Sequence, residues 1–436
     1  MRFWSLVVLV GVAAGLAGAA LMELLKAVQY LAWSYPAGDA LEAGTFLSTV
    51  ARTSSAHRVL VLAIGGVVAG GGAILLARRA ATHDVSEAIW LRAARLPFAA
   101  TLMRAVHTIV IVGLGASLGR EAAPQQMGAA AASALGDWAR LPEWQRRLLM
   151  ACGAGAGMAA VYNVPLGGAL FALEVLLGTL TLPLVLPALA TSLIATAVAW
   201  IALPNHPTYE IPSYPLSASQ IAWAILVGPI AGLAAVAWIR LVTAAHALRP
   251  AGWRRFAAPV LVFSALGALA IAYPQLLGNG RNVVQLALVA RLGVVLLAVL
   301  LVLKPLATAA CLGSGAPGGL FTPTLAYGVL LGGLLGRGWA EIWPGAPLGS
   351  YAIIGGAAVL GASMQGPLAA VVLLLELTQH ADALMVPILL AVVEATVLAR
   401  LLRAPSIYSA RLSRHQPPAE PDGYSTGDLQ GWLGTS

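Results

Sequence analysis

Glu121 is a carboxylate placed in sequence that is otherwise apolar enough for a membrane. It lies inside a glycine- and proline-containing stretch, residues 115–124. At membrane depth an ionised side chain costs several kcal/mol unless it is paired, hydrated or protonated, so a functional role is the default. We expect Glu121 to plug an anion site: its carboxylate occupies the site as a surrogate anion and swings out when protonated. The alternative is a structural ion pair with a neighbour such as Arg120.

A second glycine-rich stretch, residues 313–323, has the same character and adds the Ser314 hydroxyl. Each stretch precedes a new helix, whose first N–H groups and positive dipole end suit an anion. In lipid, such irregular backbone survives only when it is buried or lines a watery cavity. Close helix packing through small residues is the alternative, although the prolines flanking Phe321 favour a shaped loop. The candidate filter residues are Gly119, Gly313, Ser314, Gly315, Pro317, Gly318, Gly319 and Pro323.

The elements that position these residues are apolar helices. The chain is 59% hydrophobic and 10% charged, with a mean hydropathy of +0.85. Soluble domains carry about 25% charged residues, so the composition predicts an all-α polytopic membrane protein in a lipid bilayer. Apolar runs recur from residue 4 to residue 402, the first being a transmembrane helix rather than a signal peptide. Several runs are too short to cross about 30 Å of hydrocarbon, so tilted and partly re-entrant helices are expected.

Charge and cysteine content exclude other classes of protein. The net charge of +8 comes mainly from arginines in short loops and at the chain ends. This pattern follows the positive-inside rule and predicts that both termini are cytoplasmic. It lacks the basic stripe on a soluble surface that nucleic-acid binding needs. Cys152 and Cys311 lie in apolar segments and indicate neither a disulfide framework nor a metal site, and we expect no cofactor.

The two halves of the chain repeat each other. Residues 165–174 match residues 367–376 at a spacing of 202, with Pro-Leu at the start and Glu at the end of both. The same spacing takes residues 119–121 to residues 321–323. Repeated halves interrupted at corresponding positions predict a binding site at the repeat interface near the bilayer midplane. The predicted organisation is an N-terminal membrane repeat (1–203), a linker (204–218), a C-terminal membrane repeat (219–410) and a disordered cytoplasmic tail (411–436).

The two glycine-rich motifs resemble signatures of the CLC family of chloride channels and proton/chloride antiporters. They are Gly-Arg-Glu at 119–121 and Gly-Ser-Gly-Ala-Pro-Gly-Gly-Leu-Phe-Thr-Pro at 313–323, and the resemblance runs from about residue 5 to residue 410. It implies two inverted repeats and a homodimer with one pore per subunit. It also implies a multi-pass protein of the bacterial plasma membrane, similar to the shorter members without cytosolic CBS domains.

The resemblance assigns roles to individual residues. Glu121 matches the external gating glutamate of the family. Tyr408 matches the tyrosine whose hydroxyl binds the central anion; without the resemblance it is best explained as an interfacial anchor. The amides that would line the external and central anion sites are those of Arg120, Glu121, Ala122, Leu320 and Phe321.

The chain departs from the family pattern at three places. Gly-Arg-Glu is followed by Ala-Ala-Pro instead of Gly-Pro, so a flexible glycine is lost. The motif Gly-Ser-Gly-Ile-Pro-Glu is replaced by Thr-His-Asp-Val-Ser-Glu at 82–87, which puts His83 where a serine would bind the central anion. His83 either contacts the anion or is a polar residue at a helix start, with Asp84 as the cap. Asp84 would repel anions and so predicts a weakened or wider inner site.

The third departure concerns proton coupling. Family exchangers carry a proton-relaying glutamate directly after the residue that matches Glu174, and this chain has Val175 there. Glu174 itself is interpreted as a helix-packing or interface residue. The leading hypothesis is therefore passive, Glu121-gated chloride conduction of the voltage-gated channel type, with proton-coupled exchange through another relay as the alternative.

An intramembrane enzyme is the third hypothesis, and the sequence disfavours it. A hydrolase or transferase needs a nucleophile–base pair or a metal cluster. The sequence contains neither His-Glu-x-x-His nor Gly-x-Ser-x-Gly, and its histidines are scattered. The fluoride-exporting branch is disfavoured too, because its usual methionine is absent at His83.

Overall fold

The chain folds into α-helices. A computed structural model describes residues 2–34, 45–79 and 83–411, and no strand occurs within those ranges. The helices of the first half are α1 (Arg2–Trp33), α2 (Thr45–Arg52), α3 (Ser55–Arg79), α4 (Val85–Leu91), α5 (Phe98–Gly113), α6 (Ala122–Trp138), α7 (Glu143–Tyr162), α8 (Pro165–Leu170) and α9 (Leu182–Ala199). Those of the second half are α10 (Ala218–Ala247), α11 (Arg254–Ala272), α12 (Arg281–Leu288), α13 (Val294–Gly313), α14 (Phe321–Ile342), α15 (Leu348–Met364), α16 (Pro367–Thr378) and α17 (Met385–Leu401).

Within the described ranges, seven helical segments are long and apolar enough to cross a membrane. With 32 residues, α1 is about 48 Å long at 1.5 Å per residue, so it must tilt within about 30 Å of hydrocarbon. By contrast, α5, α15 and α16 are shorter apolar helices. The structure thus confirms an all-α polytopic membrane protein with tilted and partly re-entrant helices. The tail from residue 412 lies outside the described residues.

The helix order of the first half recurs in the second. In the first half α9 packs on α1 and α7, and in the second half α17 packs on α10 and α15. Equivalent helices also contact each other across the halves, since α3 packs on α11 and α8 on α16. Contacts between equivalent elements are what a two-fold relation requires.

Backbone conformation marks equivalent positions in the two halves. Gly115 and Gly315, just beyond α5 and α13, have φ of +104° and +98°. Asn163 and Gln365, the residues that end α7 and α15, both have φ of +58°. The first pair is 200 residues apart and the second 202, so a constant spacing of 202 is wrong for the glycine-rich stretches. The second half gains two residues between these points, and the equivalent of Gly119 is Gly319.

Two glutamates tie the halves together crosswise. The Glu174 carboxylate accepts hydrogen bonds from the amides of Leu368 (3.2 Å) and Ala369 (2.6 Å), in the first turn of α16. Glu376 does the same in the first turn of α8, where the Gly167 amide is 2.7 Å away. Carboxylates satisfy the unpaired amides of a helix N-terminus and its positive dipole end.

Glu174→Gln and Glu376→Gln should destabilise the protein by similar amounts, about 1–3 kcal/mol each. Each substitution replaces the charged carboxylate that accepts hydrogen bonds from backbone amides with a neutral side chain. Thermal unfolding of the detergent-solubilised protein, followed by circular dichroism, measures the effect. Glu341→Gln is the matched control, since Glu341 is exposed at the end of α14. Equal unfolding temperatures for all three variants would show that the crosswise bonds contribute nothing.

The connection between the halves is packed against them. Residues 200–217 contain no helix, and the predicted linker 204–218 falls almost entirely within this connection. Tyr209 and Tyr214 are buried in it. The Tyr209 amide donates to the Leu377 carbonyl at 2.9 Å, and the Tyr214 hydroxyl donates to the Leu288 carbonyl at 2.5 Å. The connection therefore links α12 and α16 through these two hydrogen bonds.

Candidate functional site

The two glycine-rich stretches meet through their backbones. Gly119 and Gly319 exchange both amide–carbonyl hydrogen bonds, each 2.8 Å long, as an isolated antiparallel bridge. The bridge fixes the starts of α6 at Ala122 and of α14 at Phe321 next to each other. First-turn amides lack acceptors within their own helix, so two positive helix ends converge on one point.

The Glu121 carboxylate lies at this point and is 1% exposed. Its Oε1 accepts a hydrogen bond from the Phe321 amide at 2.7 Å. The hydroxyl groups of Tyr162 and Thr322 lie 3.2 and 3.4 Å from Oε2, and 2.8 Å from each other. A carboxylate on a helix N-terminus with hydroxyl donors occupies the kind of site that binds an anion.

Arg120 does not neutralise this carboxylate directly. Its guanidinium carbon lies 5.2 Å from the centre of the Tyr162 ring, a cation–π contact. Among the ion pairs of the described ranges, none joins Arg120 to Glu121. The geometry therefore favours a plug over a structural ion pair.

Two glycines create the space for the carboxylate. A Cβ atom on Gly119 or on Gly319 would lie closer than 3.0 Å to Glu121 Oε1. Both contacts are far inside van der Waals distance, and the neighbouring backbone is fixed by the bridge. The two glycines leave this volume open for the carboxylate, or for an anion in its place, and a side chain at either position would displace the carboxylate.

A small cavity of about 40 Å³ adjoins Glu121. That volume exceeds the roughly 10–15 Å³ that one water molecule needs in a cavity, so a small dehydrated ion fits. The Tyr408 ring lines it and packs edge-on against Phe171 at 5.3 Å. The cavity is lined by Asp84, Val85, Ser86, Arg104, Glu121, Ala122, Gln125, Gln126, Leu176, Gly318, Gly319, Leu320 and Tyr408.

His83 does not line this cavity. Its Nδ1 is 2.8 Å from a carboxylate oxygen of Glu87, so the predicted contact with an anion is not what the structure shows. Asp84 stands at the N-cap of α4 without capping it, and instead accepts a hydrogen bond from Arg104 at 2.5 Å. The ion pair compensates the charge that was expected to repel anions. Ser86, three residues after His83, lines the cavity. Thr82 lies outside the described residues.

The second glycine-rich stretch is divided between two cavities. Gly318, Gly319 and Leu320 line the small one, whereas Ser314, Gly315 and Pro317 line a separate cavity of about 480 Å³. The Ser314 hydroxyl donates to the Cys311 carbonyl at 2.7 Å. It therefore closes the end of α13, which Gly313 terminates, instead of facing the small cavity. Pro323 lies in the first turn of α14.

Sequence reasoning missed three residues of the site: Tyr162, Thr322 and Arg104. Thr322 lies within the second glycine-rich stretch, so its hydroxyl could have been considered beside that of Ser314. Tyr162 ends an apolar helix and carries no spacing signal, because its partner Thr322 is 160 residues away. Arg104 on α5 could have been noticed as a charge inside an apolar run.

Val175 lies in a π-helical segment, Phe171–Leu177, that continues α8. π-Helical turns occur often at functional sites, and this one places Leu176 on the small cavity. Val175 packs closely on Gly366, where a Cβ atom would come within 2.6 Å of its Cγ2. An aliphatic side chain cannot carry a proton, so this position supplies no relay.

Comparison with known proteins places the chain among anion transporters. The model of the voltage gated chloride channel family matches residues 65–400. A ClcB-like chloride channel protein of Ralstonia nicotianae is 33% identical, over 94% of this chain and 98% of that protein. The voltage-gated ClC-type chloride channel ClcB of Citrobacter koseri is 32% identical, over 93% and 98%.

Solved structures share the fold. A slow cyanobacterial Cl⁻/H⁺ antiporter superposes with a TM-score of 0.78 at 22% identity, covering 94% of this chain and 96% of that one. A CLC-type fluoride/proton antiporter gives 0.68 at 21% identity, covering 92% and 97%.

Proposed function

The chain belongs to the voltage-gated chloride channel family, and on that premise we propose that it carries chloride across a membrane through a passage closed by Glu121. The position of the Glu121 carboxylate is the observation that supports the proposal. It binds the Phe321 amide at 2.7 Å, in space that two glycines leave open. A chloride ion needs the same donors and the same volume.

Protonation opens the passage. An ionised carboxylate makes a charge-assisted hydrogen bond to the amide, and such bonds are roughly twice as strong as neutral ones. The neutral acid loses that advantage, so chloride displaces it. From the position that the Glu121 carboxylate had occupied, the ion reaches the small cavity. Ala122, Leu320 and Tyr408 are its proposed contacts there.

Chloride efflux from proteoliposomes tests the proposal. The reconstituted protein, with a potassium ionophore to dissipate the membrane potential, should release trapped chloride much faster than protein-free vesicles. Vesicles that retain chloride at every pH would contradict it.

Tyr408→Phe should weaken chloride binding by about tenfold or more, because one hydrogen bond to a charged group contributes about 1.5–3 kcal/mol and each 1.4 kcal/mol is about tenfold. The ring contact with Phe171 at 5.3 Å stays, so the fold is preserved. Isothermal titration with chloride measures the affinity, and Tyr30→Phe, on an exposed tyrosine of α1, is the control. Unaltered affinity would leave Tyr408 as an anchor only.

Proton-coupled exchange is the second candidate, because a carboxyl that opens by protonation can carry its proton onward. Val175 argues against it. Passive conduction predicts that a pH gradient at equal chloride leaves the reversal potential at zero. A stoichiometric shift of that potential would establish exchange and refute the channel mechanism.

We further propose a homodimer in a bacterial plasma membrane with both termini cytoplasmic, and transport without a cofactor or an enzymatic step. The arginines at the junction of α10 and α11, which are Arg249, Arg254 and Arg255, then mark the cytoplasmic side. The resemblance suggests the dimer, and α9 and α17 offer exposed apolar side chains for it. These include Leu182, Leu186, Leu193, Met385, Val386, Val393 and Val397.

A further inference from the structure

The cavity of about 480 Å³ is far larger than a chloride ion requires. It lies between α3, α5, the α10–α11 connection, the start of α11 and the second glycine-rich stretch, on the side proposed to be cytoplasmic. Three arginines and a histidine line it: Arg104, Arg249, Arg255 and His107. Within the described residues its lining includes no aspartate or glutamate. Such a cavity attracts anions strongly.

We propose that this cavity binds a phosphate group, belonging either to a free phosphate compound or to a lipid headgroup. The planar guanidinium matches the oxygens of phosphate with paired hydrogen bonds, a geometry that a spherical chloride ion cannot exploit. The volume also falls in the roughly 300–1,000 Å³ range of sites for small organic molecules. The small cavity beside Glu121, about 40 Å³, takes the single ion.

His107 is held in the wall of the cavity by its own contacts. Its Nε2 lies 3.1 Å from the Val68 carbonyl, so Nε2 donates and Nδ1 of the neutral ring is an acceptor. Nδ1 is buried and has no hydrogen-bond partner in the described part of the chain. Because Nδ1 has almost no accessible surface, it is not reached from the cavity, and the three arginines are the proposed phosphate contacts. Gly72 makes room for this ring, since a Cβ there would lie closer than 3.0 Å to Nε2.

Arg104 lines both the cavity of about 480 Å³, hereafter the phosphate cavity, and the small cavity beside Glu121, hereafter the chloride cavity. It therefore connects the two. Its Nη2 donates to Asp84 Oδ1 at 2.5 Å, and Asp84 faces the chloride cavity. A bound phosphate competes for the Arg104 guanidinium and leaves the Asp84 charge less compensated. Chloride is then repelled from the inner end of its passage, so phosphate slows chloride flux. This second step rests on the proposed function, whereas the binding step does not.

Equilibrium binding of radiolabelled inorganic phosphate to the detergent-solubilised full chain tests the site. The double variant Arg249→Gln/Arg255→Gln should bind at least about tenfold more weakly, since it loses two guanidinium partners. The double variant Arg95→Gln/Arg403→Gln removes the same charge from exposed positions outside the cavity and should bind like wild type. Absence of saturable binding, or equal loss in both double variants, would overturn the proposal.

Nanodiscs separate the two sources of phosphate. If a lipid headgroup occupies the cavity, phosphatidylglycerol nanodiscs should reduce phosphate binding relative to phosphatidylcholine nanodiscs. Equal binding in both assigns the site to free phosphate.

The second step, the slowing of chloride flux by phosphate, is tested by the ratio of chloride flux with phosphate to chloride flux without it. This ratio should fall below one only in proteins that keep Arg249 and Arg255. A ratio of one in a wild type that binds phosphate overturns the coupling. Phosphate binding without any chloride flux overturns the proposed function alone.

Discussion

Glu121→Gln makes chloride flux independent of pH and fixes it near the rate of the fully protonated wild type. Glutamine has the size of the protonated carboxyl and cannot ionise, so the charge-assisted bond to the Phe321 amide never forms. Wild-type flux should fall about tenfold per pH unit once the carboxyl is mostly ionised, because only the protonated fraction opens. Chloride efflux from proteoliposomes across a pH series measures both proteins.

The control for this experiment is Glu341→Gln, which removes an exposed carboxylate from the same protein and should keep the wild-type pH profile. A Glu121→Gln variant with the wild-type profile would mean that another group titrates, and that Glu121 is not the plug. Loss of flux at every pH in a folded variant would mean that the ionised carboxylate is needed for transport itself.

Gly319→Ala abolishes most chloride flux. The new methyl group would lie closer than 3.0 Å to the position of Glu121 Oε1, the position we assign to a passing chloride ion. The carboxylate must leave, and the anion cannot replace it. Overpacking of this kind costs about 1–3 kcal/mol, so flux should fall by about fivefold to about a hundredfold even at low pH.

Gly338→Ala, on the helix α14 that follows Gly319, is the control, since a Cβ there meets nothing within 4 Å. Circular dichroism and gel filtration establish that both variants fold. If Gly319→Ala instead conducts freely at all pH values, the carboxylate has been expelled from a site that chloride does not use. The contrast with Glu121→Gln is informative, because Glu121→Gln leaves the anion site open to chloride, whereas Gly319→Ala fills it with a methyl group.

Much of this site could be predicted from Glu121 and the two glycine-rich stretches. A carboxylate within an apolar membrane segment costs free energy, and glycines between helices indicate irregular, non-helical backbone. Both features point to a polar site. The pairing of Glu121 with Phe321 could not be derived from spacing, because the repeat spacing changes from 200 to 202 between the glycine stretches and α7. Only the fold shows that Gly119 faces Gly319.

The inner end of the passage was predicted less well. The assignment of His83 depended on aligning a motif that keeps only its final glutamate, and a residue's place in such a motif does not fix the direction of its side chain. In the structure Glu87 holds the His83 ring, and Ser86 lines the cavity instead. The large basic cavity joins α3, α5 and the α10–α11 connection, which are distant in sequence, so no local pattern reveals it.

The central claim is that the Glu121 carboxylate occupies an anion site. The most direct test is anomalous diffraction from bromide-soaked crystals of Glu121→Ala and of wild type. We predict a bromide peak in the variant within hydrogen-bond distance of the Phe321 amide, between Gly119 and Gly319, and none there in wild type because the carboxylate fills the space. A variant that binds bromide elsewhere but leaves this position empty would contradict the account.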